Sequence, residues 1–233
     1  MQCRASADPR GIRPPPVGSY VKALMEWDRR RATLELMMFQ VRIHGRGGQG
    51  VVTAAEMLSV AAFGEGRYAQ AFPSFGSERT GAPVVAFCRI DDHEIRLHEP
   101  IVEPDVLIVQ DATLIHQVDL FSGLRPDGYV LINSKRSFDE LGLGELADRF
   151  RRERLLTVPA TELALRHIGL PIPNTVLLGG LCAISGIISL DSLASAVRAR
   201  FGGPQAEANI AAAREAYAWV AAEIGELAHA SAD

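Results

Sequence analysis

Apolar positions recur along the chain with two periods, and the switches between them mark out an alternation of strands and helices. Residues 39–43, Phe-Gln-Val-Arg-Ile, alternate apolar and polar in the manner of a strand, and residues 51–63 carry apolar side chains at helical spacing. The folded part therefore opens as strand, glycine turn, helix. Further extended stretches are predicted at 67–72, at 83–90 and, briefly, at 94–97. The run 105–111, Asp-Val-Leu-Ile-Val-Gln-Asp, is nearly all apolar between its carboxylates, as expected of a parallel strand buried on both faces, and a helix should follow it. Residues 125–128, Arg-Pro-Asp-Gly, make a turn, and 129–134 read as another buried strand. Beyond a weak strand at 155–158, helices are predicted at 160–167, 175–188, 192–200 and 205–224, with Asn174 placed to cap the second and Asp191 the third. The expected fold is α/β: an open, mostly parallel sheet with flanking helices, Rossmann-like, with a helical C-terminal part.

Residues 1–38 break this pattern. They are rich in Arg and Pro, include Pro14-Pro15-Pro16 and Arg29-Arg30-Arg31, and lack the long apolar stretch of a secretory signal. Met37 and Met38 stand directly before the first strand, so this extension reads either as a disordered arm or as a mis-called start. One domain is expected over 39–225, followed by a tail at 226–233. A chain of 233 residues with 48% hydrophobic content can bury a sizeable single core.

Charge and cysteine content narrow the chemistry. A net charge of −4 with scattered arginines gives no reason to expect nucleic acid or an anionic membrane as partner. The apolar run 175–190 is too short to span a bilayer and is interrupted by Gly179, Gly180, Ser185 and Gly186, so it reads as a buried helix. Cys3, Cys88 and Cys182 are the only cysteines; they stand far apart, and none has a histidine at a metal-ligand interval. A reduced cytoplasmic protein without its own iron–sulfur cluster is expected, since a [4Fe–4S] cluster takes four thiolates.

Gly45, Arg46, Gly47, Gly48, Gln49 and Gly50 fit GxGxxG between a strand and a helix, where glycines let backbone amides and a helix N-terminus approach a phosphate. A dinucleotide site of that type also needs a carboxylate some twenty residues on. Residues 68–73 read Tyr-Ala-Gln-Ala-Phe-Pro and provide none. Val51 and Val52 stand where a P-loop needs Lys and Ser or Thr, which excludes nucleotide hydrolysis. A tight structural turn without ligand explains the glycines equally well. Downstream, Ser77, Glu78 and Arg79 lie in a polar loop over 74–82, where Arg79 can bind a carboxylate or phosphate and Glu78 orient it. Asp111 closes a parallel strand at the edge where α/β ligand crevices form, and helix capping is its other reading. His44 is either a proton carrier or a structural histidine. His93 and His98 make a poor metal pair.

Taken together, the string 45–51, the stretch 72–84 (Phe-Pro-Ser-Phe-Gly-Ser-Glu-Arg-Thr-Gly-Ala-Pro-Val), Pro104-Asp105 and 174–179 (Asn-Thr-Val-Leu-Leu-Gly) resemble the gamma subunit of the pyruvate/ketoisovalerate/aryl-2-oxoacid:ferredoxin oxidoreductase family. The resemblance spans about residues 39–218 and leaves out the N-terminal extension. It implies that the 39–225 unit is a gamma-type domain of an enzyme that oxidatively decarboxylates a 2-oxoacid to an acyl-coenzyme A. In that family thiamine diphosphate with Mg²⁺ is held by alpha and beta subunits, and [4Fe–4S] clusters by beta and a ferredoxin-like delta subunit. Electrons leave to ferredoxin or to an NAD-linked flavoprotein, and the thiamine carries the carbonyl chemistry. Coenzyme A is a substrate, and the gamma chain is linked with its access. The glycine loop and Ser77–Glu78–Arg79 are then the candidates for ligand or subunit contact, and the Phe-Pro-Ser-Phe stretch before Arg79 leans toward pyruvate or an aryl 2-oxoacid. No catalytic residue and no metal ligand is assigned to this chain.

Two rival readings remain: a self-sufficient NAD(P)-dependent reductase, favoured by GxGxxG but lacking the ribose carboxylate, and a scaffold subunit with an empty glycine loop. The purified single chain should be colourless, free of iron and thiamine diphosphate, and inactive with any 2-oxoacid. Iron analysis checks this, and stoichiometric iron would contradict the cysteine argument.

Overall fold

The computed structural model describes residues 38–74 and 81–230. Residues 1–37, the loop residues Ser77, Glu78 and Arg79 with their neighbours, and 231–233 lie outside the described residues. In chain order the elements are β1 (Phe39–Arg46), α1 (Val51–Gly64), β2 (Tyr68–Pro73), β3 (Pro83–Asp91), β4 (Val106–Val109), β5 (Tyr129–Asn133), the short α2 (Gly144–Ala147), β6 (Leu155–Val158), α3 (Ala160–Ile168), α4 (Asn174–Ser185), α5 (Leu190–Arg200) and α6 (Gly203–Ala230). The strands form one six-stranded sheet in the order β2-β3-β1-β4-β5-β6. β1, β4, β5 and β6 pair in parallel, whereas β3 pairs antiparallel with both β1 and β2. Only β3 runs against the rest, so the sheet is mostly parallel as the sequence implied. The place beside β1 that a dinucleotide-binding βαβ unit gives to a parallel second strand is taken by β3, and β2 lies at the edge.

The two faces of the sheet are covered differently. Val41 and Ile43 of β1, Val106 and Ile108 of β4 and Leu131 of β5 face the main core, shared with α1, α4, α5 and α6. Leu107, Val109, Val130 and Ile132 face a smaller core built with Leu114, Leu120, Phe138 and Leu141 from connecting segments. Toward β3 that second face turns polar. Arg42 is buried there and donates through Nη2 to the Leu120 and Ser122 carbonyls (2.8 and 2.6 Å), and through Nη1 toward those of Ile101 and Val102. Arg89, also buried, donates to the Glu99 carbonyl at 2.6 Å and lies 5.2 Å from the centre of the Phe72 ring.

This explains the first difference from the sequence reading. The expected strand at 94–97 does not form: the Leu97 and Glu99 carbonyls are taken by the Arg89 side chain instead of a neighbouring strand. The helix expected after β4 is a single 3-10 turn, Ala112–His116, in which the Asp111 side chain accepts from the Thr113 N–H. Asn174 is the first residue of α4 and not its cap, because Pro173 precedes it with no side chain able to accept. Ser189, not Asp191, caps α5 by accepting from the Ser192 N–H. α6 also runs further than expected, to Ala230.

The run 175–190 forms a buried helix only as far as Ser185, short of the expected 188, because Gly186 ends it in the left-handed conformation; of α4 only Ala183 escapes full burial. Its glycines serve packing. A Cβ on Gly179 would overlap the main chain of Ala213 in α6, so this helix pair is closer than any side chain permits. Among the described residues no helix is long and apolar enough to cross a membrane. Gly179→Ala should destabilise the fold on the order of 3 kcal/mol, because the clash is with the main chain of Ala213, which cannot rotate aside. Differential scanning calorimetry would then show a melting temperature lower by roughly 6–12 °C.

Candidate functional site

The glycine turn sits where β1 ends and α1 begins, at the carboxyl edge of the parallel strands. Gly45 is required by close packing: a Cβ there would lie 2.6 Å from Val51 Cγ2 and 3.1 Å from the Gln110 Cβ. Gly48 and Gly50 are required by conformation, with φ of +96° and +70°. A Cβ on Gly50 would also overlap the Asn174 amide, whose Nδ2 lies 3.4 Å from the Gly50 carbonyl oxygen. The first turn of α1 has no side-chain cap and no acidic residue, so the positive end of its dipole is left for an anion.

Arg46 and Gln49 are directed inward. Arg46 donates from Nε to Asp111 Oδ2 (3.1 Å), from Nη1 to the Gly81 carbonyl (3.0 Å), and from Nη2 to Thr113 Oγ1 and Gln117 Oε1 (2.8 and 2.9 Å). Gln49 donates to Asp111 Oδ2 at 2.9 Å and accepts from the Arg46 N–H at 2.8 Å. Burial pushes the Asp111 carboxyl up, but hydrogen bonds from Thr113 and Gln49 and the Arg46 charge outweigh it and hold it below the usual carboxylate range. Asp111 therefore caps the 3-10 turn, the second of the readings offered for it, and also anchors the glycine turn through Arg46 and Gln49.

The structure bonds the glycine turn to the residues that follow the second candidate segment, Gly81 and Ala82. The Gly47 N–H donates to the Ala82 carbonyl (2.9 Å) and the Gly81 N–H to the Gly47 carbonyl (3.2 Å). The polar loop carrying Ser77, Glu78 and Arg79 therefore has its C-terminal foot bonded onto the glycine turn. On the helix side of the turn lies an open cleft of about 160 Å³, lined among others by Gly48, Gly50, Thr53, Asn174, Phe201 and Asn209. Neither Asn209 nor Phe201 carries any signal in the sequence, and Gln110 carries a faint one. Gln110 is 1% exposed, and neither end of its amide has a hydrogen-bond partner. A polar residue ending an otherwise apolar strand was the only clue to it.

His44 points to the opposite face of the sheet from the cleft, among residues of the Arg42 side. It is 6% exposed, its Nε2 has no partner, and its pKa is lowered to about 4 by burial and then by the Arg42 charge. A neutral ring on that face has no route to a proton at the cleft. Burial likewise pushes the thiols of Cys88 and Cys182 up, so neither is a nucleophile or ready ligand. Among the described residues no three His, Cys, Asp or Glu side chains are grouped to hold a metal ion. The chain's own donors do not fit an iron–sulfur cluster, for the whole sequence has only 3 cysteines.

The described residues define an α/β domain whose glycine turn, at the carboxyl ends of the parallel strands, is bonded to the foot of a polar loop. The chain belongs to the family described as pyruvate ferredoxin/flavodoxin oxidoreductase, whose profile matches residues 40–219. It is similar to the common gamma subunit of the pyruvate/ketoisovalerate oxidoreductases of Pyrococcus furiosus, with 48% identity over 180 residues, covering 77% of this chain and 96% of that protein. It is also similar to the crystal structure of pyruvate oxidoreductase subunit PORC from Thermotoga maritima, at 36% identity and a TM-score of 0.66, covering 78% of this chain and 96% of that one. A 2-oxoglutarate:ferredoxin oxidoreductase from Magnetococcus marinus, solved with 2-oxoglutarate, coenzyme A and succinyl-CoA bound, shares the fold at 18% identity and a TM-score of 0.58, covering 81% of this chain and 31% of that one. The chain is therefore a gamma-type subunit of a multisubunit 2-oxoacid:ferredoxin oxidoreductase.

The His44 environment gives a pH dependence. Its folded pKa of about 4 lies below the unfolded 6.5, so its contribution to stability is present above pH 6.5 and is lost as pH falls from 6.5 toward 4. That loss is on the order of 3 kcal/mol for a shift of this size. His44→Gln should flatten the melting-temperature profile in that window, measured by thermal denaturation at stepped pH; an unchanged profile would place the titration elsewhere.

Proposed function

We propose that this gamma-type subunit serves the acyl-acceptor side of the oxidative decarboxylation of a 2-oxoacid, pyruvate or an aryl 2-oxoacid, with coenzyme A approaching along its glycine turn and polar loop. The observation that carries this reading is the bonded pair Gly47 and Ala82, which joins the turn and the polar loop into one rim beside an open cleft. The uncapped N-terminus of α1 suits a diphosphate, and Arg79 would meet a further phosphate or a carboxylate. That a fold-level neighbour was solved with coenzyme A supports the ligand class. Gly45, Gly47, Gly48 and Gly50 would supply backbone approach, Arg46 and Gln49 would hold the turn's shape, and Ser77, Glu78 and Arg79 would make the contacts of the loop.

The thiamine diphosphate with Mg²⁺ and the [4Fe–4S] clusters belong by this reading to alpha, beta and ferredoxin-like delta partners, and supply the carbonyl and electron chemistry. Electrons would pass on to ferredoxin or to an NAD-linked flavoprotein, in the cytoplasm. A scaffold role draws support from one fact: the Arg46 and Gln49 side chains are bonded within the chain and leave few donors for a ligand.

Purification of the tagged chain from its native host should bring down thiamine- and cluster-bearing subunits with 2-oxoacid- and coenzyme A-dependent dye reduction. In that complex Arg79→Ala should raise the KM for coenzyme A about tenfold, the value of one charge-assisted contact, with the KM for the oxoacid unchanged. Weakened assembly with an unaltered KM for coenzyme A would favour the scaffold.

A further inference from the structure

We propose that Asp111 is a positioning residue for the acceptor step: its carboxylate, acting through Arg46, fixes the foot of the polar loop, Gly81 and Ala82, against the glycine turn. The inference rests on the reading that this rim faces coenzyme A.

The case lies in where the hydrogen bonds go. Asp111 Oδ2 accepts from Arg46 Nε and from Gln49 Nε2, while Oδ1 accepts from the Thr113 N–H at 3.0 Å and the Thr113 hydroxyl at 2.5 Å. A carboxylate has about four lone-pair positions, and all are used. Gln49 Oε1 accepts from the Arg46 N–H, so carboxylate, amide and guanidinium close a ring around the turn. The planar Arg46 fork then has one orientation, in which Nη1 meets the Gly81 carbonyl. Gly81 stands at φ +83° and is exposed, and among the described residues a Cβ there would meet nothing within 4 Å. Its place is set by the Arg46 bond and the two bonds to Gly47.

This network does little for the core. Neither Asp111 nor Arg46 belongs to either apolar cluster, and their side chains are 16% and 23% exposed, which limits the ion pair's value for global stability. What it braces is the point where the β1–β3 ladder, paired as far as Arg46 and Pro83, gives way to the glycine turn on one side and the loop foot on the other. Misplacing a binding group by about 1 Å is enough to cost a large factor in rate, so a fastening of this kind acts on saturation by the ligand.

The test uses the assembled complex carrying Asp111→Ala, with Arg46→Lys as a milder variant that keeps the charge and loses the fork. Peptide-level hydrogen exchange over residues 81–90 and 45–50, the melting temperature, the KM for coenzyme A, and single-turnover reduction by 2-oxoacid without coenzyme A are measured together. Faster exchange at the foot, a KM for coenzyme A raised about tenfold by Asp111→Ala and less by Arg46→Lys, and unchanged single-turnover reduction support the proposal. Unchanged exchange at the foot overturns it, as does an equal fall of both half-reactions together with the melting temperature. Faster exchange with an unaltered KM keeps the fastening but overturns the coenzyme A reading, and with it the assignment to the acceptor step.

Discussion

Arg42 must find acceptors in the interior of the sheet's second face, and much of the molecule's less regular half is arranged to provide them. Arg42 is 8% exposed, and no carboxylate among the described residues lies in ion-pair contact with it. Desolvation lowers its pKa, partly opposed by the charge of Asp119. A buried cation in that position needs oxygen atoms, and main-chain carbonyls supply them from segments twenty residues apart, at Ile101 and Val102 and at Leu120 and Ser122. Arg89 repeats the device one strand away. The result is a sheet with the long helices on one face and, on the other, straps with only short helical turns, held in part by side-chain donors.

That asymmetry positions the site. With α1, α4, α5 and α6 all on the first face, the ends of α1, α4 and α6 meet around the glycine turn and leave the cleft between them. The straps of the second face bring Thr113 and Gln117 up to the carboxyl edge of β4, where Asp111 and Arg46 gather them. β1 is the common member: its odd residues enter the main core, its even residues Arg42 and His44 enter the polar face, and its last residue, Arg46, reaches the loop foot. One strand therefore couples packing, strap and rim.

The glycine motif shows how local signals and tertiary use diverge. Its glycines fit a phosphate site, and the same residues also fit a structural turn; here Gly45 is demanded by packing, and Gly48 and Gly50 by φ, before any ligand is considered. Arg46 and Gln49, which read in sequence as members of a candidate contact loop, have side chains bonded within the chain as its braces. The missing ribose carboxylate has a topological counterpart, since the strand beside β1 is antiparallel.

The sequence by itself determined the strands, the long helices, the buried character of 174–185 and the family, because periodicity, burial and motif spacing are written locally and hydrophobic runs have few other uses. It could not decide the 94–97 stretch, the 3-10 turn after Asp111 or the caps of α4 and α5, since these depend on which donor arrives from elsewhere: the Arg89 guanidinium, the Thr113 N–H, the Ser189 hydroxyl. Nor could it place Asp111 beside Arg46, 65 residues away in the chain, or Gly47 beside Ala82. Those contacts arise only when β3 inserts between β1 and β2 and β4 pairs on β1's other side, so the rim belongs to the tertiary structure although every residue in it was visible beforehand.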